Sequence, residues 1–107
     1  MSITLHVFYR GKEGAARAFA DEMTAKGVVE SIRREPGNLR YAYYYPAEDA
    51  DTVLLVDSWR DEAALDEHHR SPMMAEIAAL REKYDLHMTV ERFVSIEDGG
   101  DESFIRK

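Results

Sequence analysis

The sequence predicts an α+β domain of the split βαβ class, with a four-stranded antiparallel sheet and helices on one face. Three observations lead there. Apolar periodicities of two and of about 3.6 residues succeed one another in the order β-α-β-β-α-β. The stretches between them carry turn or helix-start chemistry, as at Glu35-Pro36-Gly37-Asn38 and Ser71-Pro72. The chain has 107 residues, 45% of them hydrophobic, which fills one core and not two.

Each element has its own justification. Ile3, Leu5, Val7 and Tyr9 alternate with Thr4, His6 and Phe8, nearly all apolar or β-branched, so the first strand is expected to be buried on both faces. A helical stretch from Glu13 to Arg34 carries Ala16, Phe19, Ala20 and Met23 on one stripe. Ala25, Val28, Val29 and Ile32 lie on another, so a bend near Gly27 or burial on two sides is expected. Glu35 precedes proline and leaves the α region, and Gly37 permits positive φ, which ends the helix. Leu39 to Tyr45 forms the second strand, with Leu39, Tyr41, Tyr43 and Tyr45 on one face and Arg40, Ala42 and Tyr44 on the other. Thr52 to Arg60 forms the third, with Val53, Leu55, Asp57 and Trp59 sharing a face. Asp61 caps a short helix from Glu62 to His69. Ser71-Pro72 starts the next helix, which is expected to bury Met73, Ile77, Leu80 and Tyr84. Leu86 to Ile96 is the last strand, with Leu86, Met88, Val90, Val94 and Ile96 on one face, interrupted by Arg92.

This order is the ferredoxin-like one, and it occupies residues 1–96. Residues 97–107 form an acidic C-terminal tail with two glycines, expected to be mobile unless Phe104 and Ile105 dock. The strands are apolar or aromatic on both faces, and helices on one side leave the other bare. A homodimer through the open sheet face is the expected cover.

Composition narrows the function classes. Acidic residues number 21 and basic ones 14, a formal net charge of −7, which disfavours nucleic acid and anionic membrane surfaces as partners. Cysteine is absent, which excludes disulfides, thiolate metal sites, iron–sulfur clusters and Cys nucleophiles. No apolar run approaches the ~20 residues of a membrane span. The start Met1-Ser2-Ile3-Thr4-Leu5-His6 has no signal-peptide pattern, so a cytoplasmic location is expected. There is no phosphate loop, dinucleotide fingerprint or nucleophile elbow.

Several residues can carry chemistry. His68 follows Leu65 by three on the short helix and shares its core-facing side, where an imidazole serves as general base or hydrogen-bond donor. His69 lies near the same edge. Glu62, Asp66, His68 and His69, with the distant His6 and His87, offer ligand types without zinc-like spacing, so no metal site is expected. Trp59 ends a strand just before this helix and can wall a pocket or plug the helix–sheet junction. Asp57 shares its face. If covered, its carboxylate needs a partner, for which His68 and Arg40 are the candidates. An Asp–His pair would orient the imidazole and raise its basicity. The run Tyr41, Tyr43, Tyr44, Tyr45 suits a dimer interface or the wall of a pocket for a flat aromatic ligand, with Tyr43 the candidate substrate contact.

Three segments together resemble the antibiotic biosynthesis monooxygenase family, including the small quinol monooxygenases. They are Glu35-Pro36-Gly37-Asn38-Leu39-Arg40-Tyr41, Asp57-Ser58-Trp59-Arg60-Asp61-Glu62 and Leu65-Asp66-Glu67-His68-His69-Arg70-Ser71-Pro72. The resemblance runs from residue 3 to residue 96. It implies a dimeric α/β barrel of two ferredoxin-like subunits. It also implies oxygenation of polyphenolic or quinol-type substrates without metal, flavin or haem. Carried over by position, His68 matches the family's helix histidine and Trp59 its strand-end tryptophan. Asn38 and Arg40 match recurrent turn and strand positions and are candidate substrate contacts.

The chain also departs from the pattern. Met73 stands where many relatives carry a second histidine after Ser-Pro, and Leu55 where one branch has an Asn four residues before the tryptophan. Val7 and Ala78 occupy the Asn and His positions of the haem-degrading branch, which disfavours that activity. Two alternatives remain beside an aromatic monooxygenase. One is an isomerase or epimerase of a small phosphorylated carbonyl compound, for which Arg40 is the candidate phosphate contact. The other is a non-catalytic dimeric ligand-binding protein.

Overall fold

The computed structural model describes residues 1–96 and 100–107. The chain runs β1 (Ile3–Arg10), α1 (Ala15–Ala25), α2 (Val28–Arg33), β2 (Asn38–Tyr44), β3 (Thr52–Trp59), α3 (Glu62–His69), α4 (Met73–Lys83) and β4 (His87–Val94), then a 3-10 turn at Glu102–Phe104. The bend expected at Gly27 is a full break: Gly27 takes φ 77°, and Val28, Val29 and Ile32 of the second stripe lie on a separate helix α2, while Ala25 ends α1. Asp61 caps α3 as its type predicts, accepting a hydrogen bond from the Ala64 N–H at 2.9 Å.

The four strands form one antiparallel sheet in the order β2-β3-β1-β4, the ferredoxin-like α+β fold. In register, Ile3 faces Trp59, Leu5 faces Asp57 and Val7 faces Leu55. These residues lie on the helix side, where they meet Phe19 and Met23 of α1 and Ile32 of α2 in a single core. The register between β2 and β3 shifts between Asn38 and Arg40. Leu39 is the extra residue of that bulge and is 59% exposed, so it does not share the buried face of Tyr41 as strict alternation predicted.

β4 also departs from expectation. Met88, Val90 and Val94 pair with Tyr9, Val7 and Ile3 and so face the helix side, yet every residue of β4 is exposed within the chain. The helices pack chiefly on the other three strands, and β4 meets them through Met88, which accepts from Arg81 of α4, and Arg92, which pairs with Glu62 of α3. The opposite face of the sheet carries no helix. It presents Phe8, Leu54, Val56, Tyr44 and Phe93, with Thr4 and Ser58 sharing a hydrogen bond of 2.7 Å between them.

The start of the acidic tail, residues 97–99, and with it the proposed division at residue 96, lies outside the described residues. Phe104 and Ile105 are 86% and 55% exposed and dock on nothing in the chain's core. Among the described residues no helix is long and apolar enough to cross a membrane.

Candidate active site

A cavity of about 220 Å³ lies between the helix side of the sheet and the helices α3 and α4. Leu5, Val7, Leu55 and Ile77 give it an apolar lining, and its polar groups are Tyr9, Tyr41, Asp57, His68, His69 and Arg81.

His68 is placed by helical spacing. Leu65 anchors α3 in the core, and His68, one turn on, is buried beside it. Its Nδ1 lies 2.7 Å from Oε2 of Glu35. Trp59 stacks on its ring with centroids 4.7 Å apart and planes 25° apart, and Tyr41 meets it edge-on at 6.4 Å. The hydrogen bond to Glu35 engages Nδ1 and not Nε2. A carboxylate on Nδ1 fixes the tautomer that carries the proton there and leaves Nε2 free to accept one.

Glu35 reaches His68 because the turn after α2 is pressed under α3. Gly37 has φ 84°, and a Cβ there would lie 2.5 Å from Cβ of Ala64. Its carbonyl accepts the Arg60 N–H at 2.7 Å, tying the turn to the end of β3.

Asp57 is 5% exposed and accepts the Trp59 indole N–H at 2.6 Å. Burial pushes its carboxyl up to about 6, against the pull of that hydrogen bond and of the His68 charge, while nearby Glu35 adds to the rise. Burial pushes the Tyr9 hydroxyl up to about 12 and raises Tyr41 well above the ordinary phenol range, so both stay protonated donors at neutral pH. His69, at the cavity edge, is pulled down by desolvation and by its neighbour His68, which favours its neutral form.

The structure brings together three of the six residues singled out from sequence. His68 and Asp57 line the cavity, and Trp59, fully buried, supports both. Tyr43 sits behind them, edge-on to Phe19 and Tyr41, with its hydroxyl buried. Asn38 lies outside the cavity, its Nδ2 donating to the carbonyls of Arg40 and Ser58, both at 3.3 Å, across the bulge. Arg40 is exposed on the open face, opposite the cavity.

The expected partners of Asp57 are corrected. Neither His68 nor Arg40 holds it. Trp59, two residues on along the same strand face, reaches it directly, Arg40 points to the other side of the sheet, and His68 is engaged by Glu35. Sequence reasoning missed Glu35, Tyr9 and Arg81. Glu35 stands in the sequence as a helix stop and as the first residue of a family-like segment, neither of which gives it a role beside His68. Arg81 follows Met74 and Ile77 at spacings of three and four, which puts all three on the cavity side of α4. Among the described residues no three His, Asp or Glu side chains converge to hold a metal ion.

A family model for antibiotic biosynthesis monooxygenases matches residues 2–80. The chain belongs to that family. YcnE of Bacillus subtilis, which carries a provisional monooxygenase name, is 28% identical over 69 residues, 64% of this chain and 70% of YcnE. The uncharacterised Synechocystis protein sll1783 is 35% identical over 48 residues, 45% of this chain but only 33% of that protein, so the match spans a third of its length.

Solved structures with the same fold include SnoaB, a cofactor-independent oxygenase from Streptomyces nogalater. Its TM-score is 0.73 at 14% identity, over 90% of this chain and 94% of SnoaB. A conserved Methanosarcina mazei protein gives 0.76 at 23% identity, over 90% and 94%. At such identities these likenesses speak to the fold. The antibiotic biosynthesis monooxygenase match ends within α4, so β4 and the tail lie beyond it.

Proposed function

We propose that the chain is a cofactor-independent monooxygenase of a small aromatic, polyphenolic or quinol-type molecule, working as a homodimer closed through the open sheet face. The observation that carries this reading is His68 on the wall of a largely apolar cavity, its Nδ1 held from behind by Glu35.

His68 Nε2 takes a proton from an acidic O–H or C–H of the substrate, and Glu35 stabilises the imidazolium that forms. The electron-rich anion passes an electron to molecular oxygen, and the two radicals join at carbon as a peroxide. Loss of water leaves a carbonyl. The balance is CH2 + O2 → C=O + H2O, with the substrate itself supplying the electrons. The buried phenols Tyr9 and Tyr41 are donors for the oxyanions along this path, in a low-dielectric site where each such contact counts for more than in water.

The family supports this class of reaction, and the fold shared with SnoaB supports its running without a bound cofactor. The isomerase alternative drew on Arg40, which lies outside the cavity. The test is oxygen uptake by purified protein against hydroquinones and anthrone-type polyphenols. Uptake is expected to follow protein concentration, to fall about 10²–10⁴-fold in His68→Ala, and to fall less in Glu35→Gln. No uptake above autoxidation, or full uptake by His68→Ala, contradicts the reading.

A further inference from the structure

Arg81 lies in the last turn of α4, where a cation suits the free carbonyls of the helix end. Lys83 shares that setting and pairs with Glu22 at 2.7 Å. Arg81 has no carboxylate within ion-pair distance among the described residues. Its Nη1 donates to the sulfur of Met88 at 3.0 Å, a weak acceptor, and its Nε is buried with no partner. The one carboxylate lining the same cavity is Asp57, which holds the Trp59 indole. A half-buried guanidinium is thus left with unspent donors at the wall of a cavity, and its planar fork matches the oxygens of a carboxylate or a phenolate.

Register places this cation relative to His68. Arg81 bonds to Met88, which faces Tyr9 across β1 and β4. Asp57 faces Leu5 of the same strand, and Trp59, stacked on His68, follows it. Tyr9 and Leu5 are four residues apart, about 13 Å along the strand. The cavity therefore has a cation towards one end and an imidazole–carboxylate pair towards the other, with Leu5, Val7 and Leu55 between them. That is the shape of a site for a flat fused-ring molecule with a negative oxygen at one edge.

We propose that Arg81 binds an anionic oxygen of the ligand, so that the substrates are acidic aromatic molecules laid along the sheet with the reacting carbon towards His68. This deepens the monooxygenase reading and takes its site from it. The net charge of the chain is −7, so its overall field repels anions, and any preference for them has to come from a local cation. Tyr9, next to that cation, keeps its phenolic proton and adds a second donor for the same oxygen.

Equilibrium binding tests the proposal without turnover. Naphthoate and its neutral isostere naphthamide are titrated into the full chain by calorimetry without oxygen. Naphthoate is expected to bind at least about tenfold more tightly. Arg81→Gln is expected to abolish that preference. Arg81→Lys is expected to keep part of it, as a point charge without the fork. Circular dichroism of both variants confirms that the fold is kept. Equal affinity for the two probes overturns the proposal, as does a preference that survives in Arg81→Gln, or the absence of binding by either at millimolar concentration. A preference for naphthoate in a protein that consumes no oxygen supports the ligand class while contradicting the oxygenase reading, so the two fail separately.

Discussion

Asp57 and Trp59 occupy alternate positions of β3, so one side of the strand carries a carboxylate and the N–H that satisfies it. The arrangement still disfavours the charged form, because the carboxyl titrates near 6 in the fold against an ordinary 3.8. The folded state therefore holds the proton longer than the unfolded chain does. The stability this contributes is complete below about pH 4 and is lost as pH rises to about 6, a change of about 3 kcal/mol at most. Asp57→Asn keeps an acceptor for the indole and removes the titration. Its melting temperature at neutral pH is expected to exceed that of the wild type, and the decline between about pH 4 and about pH 6 is expected to flatten. Melting curves across that range check this, and an unchanged slope contradicts it. At this scale strand alternation put Asp57 and Trp59 on one face, and helix spacing put His68 on the core side of α3, without showing that they meet. Nor could the sequence show that Glu35, 33 residues before His68, takes the imidazole, because that pairing exists only once a turn is folded beneath a helix.

At the scale of elements, that turn is the piece on which the site depends. Gly37 combines a left-handed φ with a contact too close for any side chain. Gly37→Ala is expected to cost about 2 kcal/mol or more, from backbone strain together with overpacking against Ala64. Urea unfolding measures it, and an unchanged midpoint contradicts the packing described. Because the same turn carries Glu35, the variant is also expected to lose oxygen uptake under conditions where it remains folded. Most elements were legible from pattern and caps: the change of helix face near Gly27, though not the full break there, the Asp61 cap and the split of β3 into two faces. The bulge at Leu39 was not, since an inserted residue leaves no mark in an otherwise alternating strand. Nor was the exposure of β4, whose Met88, Val90 and Val94 face the helix side yet stay open to solvent.

For the molecule as a whole, the open sheet face and the bare β4 are the surfaces a single chain leaves apolar. Patches of this kind on a stable protein are normally covered. Sedimentation is expected to give twice the mass of the chain at micromolar concentration. Val56→Asp, on an inner strand of the open face, is expected to release monomers. A stable wild-type monomer contradicts the dimer. The ferredoxin-like order and the family were both readable from the sequence, because they rest on periodicity and short local motifs. The cavity was only partly readable, because Tyr9 and Arg81 reach it from β1 and the end of α4, and Glu35 acts on it through His68 from the turn after α2.

The most direct test of the central claim follows the oxygen atoms. An anthrone-type substrate that supports uptake is turned over under isotopically heavy molecular oxygen, and product and water are analysed by mass spectrometry. One heavy atom in the new carbonyl of the product and one in water, with neither formed by His68→Ala, is the predicted result. A product without label, or labelling that persists in His68→Ala, would contradict the account.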